Sequence, residues 1–340
     1  MTWNFKRELA KIDNEIAKIK PPKEKRADAV FEGGGVKGIG LAGALYTAEK
    51  LGIQWQNVAG TSAGAIVASF VAAGYTANDI RQILQDLELK KIKDKGPEDK
   101  IPLIGIAFSL ITQLGIYEGN YIENLIRDLL AEKGKHSFKD LLYEGSDKDD
   151  AKFRYKLRVI TAEVTNGEMV VLPQDIANYR EKPDDFPIAK AVRMSMSIPG
   201  FFEPVKLGKN IFVDGGMLSN FPVWLFDTDD VPEWPTFGFR LVDDKEIQEG
   251  RVRKRQNKIK GPVDYILALI FTMVEAHDKY YMRTHNYKRT IMIPTLGIRA
   301  TDYDIKKERQ LKLFMSGAKA AVKFFKQWDF EEYKMKYRGS

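Results

Sequence analysis

The sequence predicts an α/β fold in which a mainly parallel sheet is covered by helices. Three observations point there. The first part of the chain alternates strand, turn, helix, strand, turn, helix, and such alternation places successive strands side by side in the same direction. The strand candidates are short apolar runs, as in buried strands. The helix candidates between them close on glycines, at Gly52 and Gly74. With 340 residues and 44% hydrophobic content, the chain can bury a large core as one large domain or two small ones.

The elements follow in order. Residues 1–20 predict an amphipathic helix, with Phe5, Leu9, Ile12, Ile16 and Ile19 on one face. "PPKEK" (21–25) stops it. "ADAVFE" (27–32) is a buried strand, "GGGVKGIG" a turn and "LAGALYTAEKLG" a helix; "WQNVAG" (55–60) and "SAGAIVASFVAAG" repeat the pattern. "TANDIRQILQDLEL" (76–89) is a helix capped by Thr76. A charged loop (90–100) and an apolar stretch (101–117) lead to a helix over 120–134 and an acidic loop at 146–150. Residues 152–173 hold two strands joined at "TNGE", a hairpin signal. A helix then runs from 186 into a loop at 200; "KNIFVDGG" (209–216) and "TFGFRLVDD" (236–244) are strands. A basic stretch precedes a helix near 263–286, and the tail from 303 is helical and Lys-rich.

Composition narrows the chemistry. With no cysteine there is neither a disulfide nor a thiolate metal site, and "SDKDD" lacks the spacing of a calcium loop, so no metal and no cofactor are expected. The charged N-terminus has no apolar core of a signal peptide, and no run reaches the roughly 18 apolar residues of a membrane span. A cytoplasmic protein is expected, with peripheral membrane contact left open. The net charge of +7 favours polyanionic surfaces or serves solubility alone.

Gly33, Gly35 and Gly38 match G-x-G-x-x-G, the dinucleotide fingerprint. That reading needs an acid at the end of the second strand to hold a ribose, and Ala59-Gly60-Thr61-Ser62 stands there instead. No G-x-x-x-x-G-K-[ST] occurs, which removes the P-loop. "GTSAG" (60–64) has the Gly-x-Ser-x-Gly pattern of a strand-to-helix elbow that exposes a serine nucleophile. Parallel neighbours would bring Gly33, Gly34 and Gly35 beside Ser62, where closely approaching N–H groups at a helix start suit an oxyanion.

The proton acceptor is open on residues alone. The chain order Ser62, Asp214, then His277 or His285 fits a hydrolase triad, but both histidines lie at what reads as the polar end of a helix, and His136 reads as loop surface. Asp214 ends the apolar strand "NIFVD" before two glycines. It is either a base delivered to the site rim, with its pKa raised by partial burial, or part of a plain turn.

"GGGVKG" (33–38), "GTSAG" (60–64), "SMSIPGFFEPV" (195–205) and "DGG" (214–216), in this order, resemble the signatures of the patatin-like phospholipase family over roughly 28–225. The resemblance implies a three-layer α/β/α fold and a Ser–Asp dyad without histidine. Ser62 would be the nucleophile and Asp214 the base. The amides of Gly33, Gly34 and Gly35 would form the oxyanion hole, supported by Lys37, Gly38, Gly60, Gly64 and Gly215. The implied reaction is phospholipase A-type hydrolysis of lipid acyl esters through an acyl-enzyme. Acyl transfer on the same dyad and a silent lipid-binding scaffold are the alternatives, and any activating partner stays open. The expected organisation is an N-terminal helix and linker (1–25), a catalytic domain (26–300) and a helical extension packed on it (301–340). Arg251, Arg253, Lys254, Arg255, Lys258 and Lys260 form a basic cluster suited to anionic lipid, or to a solvated loop; no nucleic-acid partner is expected.

Overall fold

The computed structural model describes residues 3–87, 117–143, 153–243, 284–300 and 304–337, with isolated positions between them. The basic cluster of 251–260, most of the apolar stretch 101–117, the acidic loop and His277 lie outside the described residues.

The N-terminal helix α1 (Phe5–Ile16) is capped by Asn4, whose side chain accepts the Arg7 N–H, and it buries Ile12 and Ile16. Strand β1 (Arg26–Phe31) leads through the glycine loop into α2 (Gly38–Lys50), and β2 (Gln54–Thr61) leads through Ser62 into α3 (Ala63–Ala72). Thr76 caps α4 (Ala77–Asp86) in a reciprocal box with Asp79. Next come α5 (Asn120–Glu132), the hairpin β3 (Leu157–Glu163) and β4 (Glu168–Leu172), and α6 (Ile188–Ser195). The rest is β5 (Val205–Leu207), β6 (Asn210–Asp214), β7 (Thr236–Val242), α7 (Thr284–Lys288), β8 (Thr290–Pro294), α8 (Lys307–Phe325) and α9 (Phe330–Tyr337).

The strands form one mixed sheet, linked in the order β5-β6-β3-β2-β1-β7-β8, with β4 also on β3. The run β3-β2-β1-β7-β8 is parallel throughout, and β4, β5 and β6 add antiparallel pairs. Every residue of β3 and β7 is buried, as expected of strands covered on both faces.

The register at β3 positions the site. Val159 and Ile160 pair both with β2 (Gly60, Thr61) and with β4 (Leu172, Val171), so β2 and β4 lie on opposite edges. Thr161 to Glu163 pair with β4 and also with β6, so β6 shares the edge of β2. The two strands therefore meet end to end: Thr61 closes β2 opposite Ile160, and Asp214 closes β6 opposite Thr161.

Helices α2 and α8 touch backbone to backbone. A Cβ at Gly43 would overlap the Phe314 carbonyl, one at Gly317 would overlap the Gly40 carbonyl, and the Thr47 hydroxyl donates to the Ala318 carbonyl at 3.0 Å. Gly317→Ala must push the helices apart. A loss of about 1–3 kcal/mol is expected, read as a lower urea midpoint; an unchanged midpoint would mean that the contact tolerates the methyl group.

Two strands escape the sequence pattern. β5 has three residues and exists as the short partner of β6. β8 carries the β-branched Thr290, Ile291 and Ile293, but its five residues close on a proline next to a polar helix end, which hides it.

Candidate active site

Ser62 occupies the tight turn between β2 and α3 with φ 55° and ψ −124°, a conformation that costs a residue with a side chain about 1–3 kcal/mol. Its surroundings hold it there. The Ser62 N–H donates to Ser195 Oγ at 2.9 Å, and that hydroxyl donates to the Ile160 carbonyl at 2.5 Å. Both flanking glycines are required by close approach: a Cβ at Gly60 would strike the Gly64 carbonyl, and one at Gly64 would strike the Phe31 carbonyl. Because α3 starts at the next residue, its positive end lies at Ser62.

Asp214 is buried beside this turn. Its Oδ1 accepts the Gly216 N–H at 2.8 Å, and its own N–H donates to the Ser197 carbonyl at 2.9 Å. Burial raises its pKa to about 6, while the Gly216 N–H and the neighbouring Ser62 hydroxyl pull the other way. A Cβ at Gly215 would overlap the Ile160 carbonyl, so this turn too packs directly on β3.

The glycine loop lies against Ser62: a Cβ on Gly33 would stand 3.2 Å from that of Ser62. The three glycines are not equivalent. The Gly33 N–H donates to the Asn220 carbonyl at 3.1 Å, which spends it within the protein. Gly34 caps and Gly35 opens the first turn, and among the described residues their N–H groups have no backbone acceptor. Gly35 has φ 56° and abuts the Ala300 carbonyl, so no other residue fits there. Lys37 closes the short turn Gly35–Lys37, its N–H donating to the Gly34 carbonyl at 3.2 Å, and Gly38 opens α2. Behind the loop, Glu32 accepts the Leu241 N–H at 2.5 Å and pairs with Arg240 at 3.5 Å.

A pocket with about 700 Å³ of empty space, its open mouth included, starts at this cluster. Gly35, Ser62 and Ala63 line it, together with the apolar Ile66, Leu84, Ile122, Met196 and Phe202 and with Gln310.

The structure thus brings Ser62, Asp214, Gly60, Gly64, Gly215 and the Gly33–Gly38 loop together. His136 is exposed, with its backbone N–H bonded to Asp140, while the His285 side chain lies outside the described residues. Sequence reasoning passed over Ser195, Asn220 and Gln310. The first two act through hydrogen bonds to backbone groups, which leave no spacing signal. Gln310 was visible as an amide on the apolar face of α8, in register with Leu313, Phe314 and Gly317. Among the described residues, no group of three acids or histidines could hold a metal ion, and no helix is long and apolar enough to cross a membrane.

Comparison with known proteins adds to this geometry. Residues 29–227 match the family model described as patatin-like phospholipase. The uncharacterized protein YqhO of Bacillus subtilis is 41% identical over 309 residues, covering 89% of this chain and 99% of the relative. A probable lipid hydrolase, 463L, of Invertebrate iridescent virus 6 is 25% identical over 57% of this chain and 61% of its own length. Among solved structures, VipD from Legionella pneumophila superposes with a TM-score of 0.51 at 16% identity, over 89% of this chain and 67% of that one, a likeness of fold.

Proposed function

The chain belongs to the patatin-like phospholipase family and is an ester hydrolase, and on that premise we propose that it cleaves lipid acyl esters, phospholipids in the first place, through Ser62 and Asp214. The observation that carries this reading is the placement of Ser62: a strained turn at the mouth of an apolar pocket, with a buried carboxyl group at its side.

In this reading the acyl chain lies in the pocket and the ester carbonyl stands over Ser62. Ser62 Oγ attacks the carbonyl carbon and passes its proton to Asp214. The carbonyl oxygen takes up negative charge, which the Gly34 and Gly35 N–H groups and the start of α3 stabilise. Collapse breaks the ester bond, and Asp214 returns the proton to the departing alcohol. A water molecule then gives a proton to Asp214 and attacks the acyl-enzyme; the second collapse breaks the bond to Ser62 Oγ, which takes the proton back from Asp214, and frees the fatty acid. The Gly33 amide, held by the Asn220 carbonyl, shapes the loop.

A carboxylate of ordinary pKa is a weak base at neutral pH, and burial improves the match by moving Asp214 to about 6. Only the ionised form accepts the serine proton. The value of kcat/KM is therefore expected to rise as pH passes about 6 and to level off above it; a profile flat from about pH 4 to 8 would remove Asp214 as the base. The direct test is fatty-acid release from mixed phospholipid vesicles by the wild-type protein beside Ser62→Ala.

A further inference from the structure

Asn220 lies where the three parts of the site meet. It follows the Asp214 turn in the chain, and its backbone carbonyl accepts the Gly33 N–H at 3.1 Å. Its side chain reaches between the glycine loop, the serine and the carboxyl group. A Cβ on Gly33 would stand 2.2 Å from Asn220 Oδ1 and 3.2 Å from the Ser62 Cβ. A Cβ on Gly216 would stand 3.0 Å from Asp214 Oδ1 and 3.1 Å from Asn220 Oδ1, so these two oxygens flank the point where Gly216 lacks a side chain. Asn220 is half-buried. Its Nδ2 donates to the Gly33 carbonyl at 3.4 Å, and among the described residues its Oδ1 accepts no hydrogen bond. So long a bond holds little of the fold, since the Asn220 main chain already fixes Gly33. The Oδ1 acceptor is left for a donor that comes from outside the protein.

We propose that Asn220 is a further catalytic residue, which holds the water of the second half-reaction and turns the acyl-enzyme towards hydrolysis rather than transfer to an alcohol. This rests on the reading of Ser62 as the acylated nucleophile and Asp214 as its base. A bound water needs at least two polar partners, and Asp214 and Asn220 Oδ1 supply two acceptors. The water gives one hydrogen to each, which leaves a lone pair of its oxygen for the acyl carbon on Ser62. In the step itself the bond from the water oxygen to the acyl carbon forms, and Asp214 takes the first proton. The bond to Ser62 Oγ then breaks, and Asp214 returns that proton to Oγ. The second hydrogen, held by Asn220, leaves with the product as the proton of the carboxylic acid. An alcohol has one hydroxyl hydrogen. It can serve Asp214 but not Asn220 as well, and its carbon would sit against an unpaired acceptor. A site built to hydrogen-bond a group discriminates against the analogue that lacks it. Neither Asn220 nor Asp214 is among the residues that line the apolar pocket, so an acyl chain seated there leaves both to the water.

The test reads how the acyl-enzyme is shared between two acceptors. Wild-type and Asn220→Ala proteins are given p-nitrophenyl butyrate with methanol added, and butyric acid and methyl butyrate are measured together. The ratio of acid to methyl ester is expected to fall by about 10-fold in Asn220→Ala. Without methanol, the variant should release p-nitrophenol in an initial burst, because its slow step is the one with water. A general loosening of the site slows both routes and leaves the ratio where it was. An unchanged ratio therefore overturns the proposal, whatever happens to the rates. Asn220→Ser keeps an oxygen at shorter reach and should lie between the two proteins. If neither variant releases p-nitrophenol while the wild-type protein does, Asn220 serves the first half-reaction or the fold, and the proposal is overturned as well. No p-nitrophenol from the wild-type protein removes the Ser62–Asp214 reading and the role of Asn220 with it. Release of p-nitrophenol with an unchanged ratio removes the role of Asn220 alone.

Discussion

Ser62→Ala is expected to abolish fatty-acid release from phospholipid vesicles, with kcat reduced by about 10⁴-fold or more, because the proposed acyl-enzyme bond forms on the Ser62 hydroxyl. The variant keeps the site intact. The bond from the residue 62 N–H to Ser195 does not use the serine side chain, and the pocket loses one oxygen. Loss of activity with unchanged fatty-acid binding would mark a chemical role. Full activity in the variant would end the serine mechanism. A companion substitution reads the backbone: at φ 55° glycine is relaxed where alanine is strained, so Ser62→Gly should be more stable than Ser62→Ala by about 1–3 kcal/mol. Equal stabilities would mean that the turn stores nothing.

Asp214→Asn is expected to lower kcat by about 10²–10⁴-fold and, at neutral pH, to stabilise the protein. The sign follows from the proton. Asp214 titrates near 6 in the fold, against 3.8 for an ordinary aspartate, because burial disfavours its charge. Below about pH 4 the group is neutral in both folded and unfolded chains and contributes its full stability. As pH rises to about 6, the unfolded chain releases the proton while the fold retains it, and stability falls. Above that, the fold carries the whole cost of a buried carboxylate, of the order of 3 kcal/mol for a shift of about two units. Asparagine does not titrate and can still accept the Gly216 N–H. The difference in unfolding free energy between variant and wild type should thus grow from near zero at about pH 4 to about 3 kcal/mol at pH 8, read by urea titration. A difference constant with pH would mean that Asp214 keeps an ordinary pKa.

The parallel sheet and the helices around it were legible because the strands are apolar runs and the turns carry glycine. Ser62 was legible for the same reason: Gly60 and Gly64 are demanded by carbonyl oxygens that leave no room for a Cβ, and such demands write themselves into sequence. From its own residues Asp214 could be read as a strand end, and only the family resemblance paired it with Ser62, since that pairing depends on β6 and β2 sharing an edge of β3. The inequality among Gly33, Gly34 and Gly35 was hidden too, because one carbonyl, that of Asn220, decides it. β5 and β8 owe their existence to partners, β6 and β7, rather than to their own few residues.

The end-to-end meeting of β2 and β6 has a consequence for how such a protein can change. The distance between the serine and the carboxyl group is measured by adjacent rungs of one strand, Ile160 and Thr161. Whatever the chain does between Thr61 and Asp214, it must return to the same rung. Insertions and deletions in the connecting segments therefore remodel the approach to the site without retuning its spacing. Substrate range is free to drift in this architecture while the chemistry stays fixed.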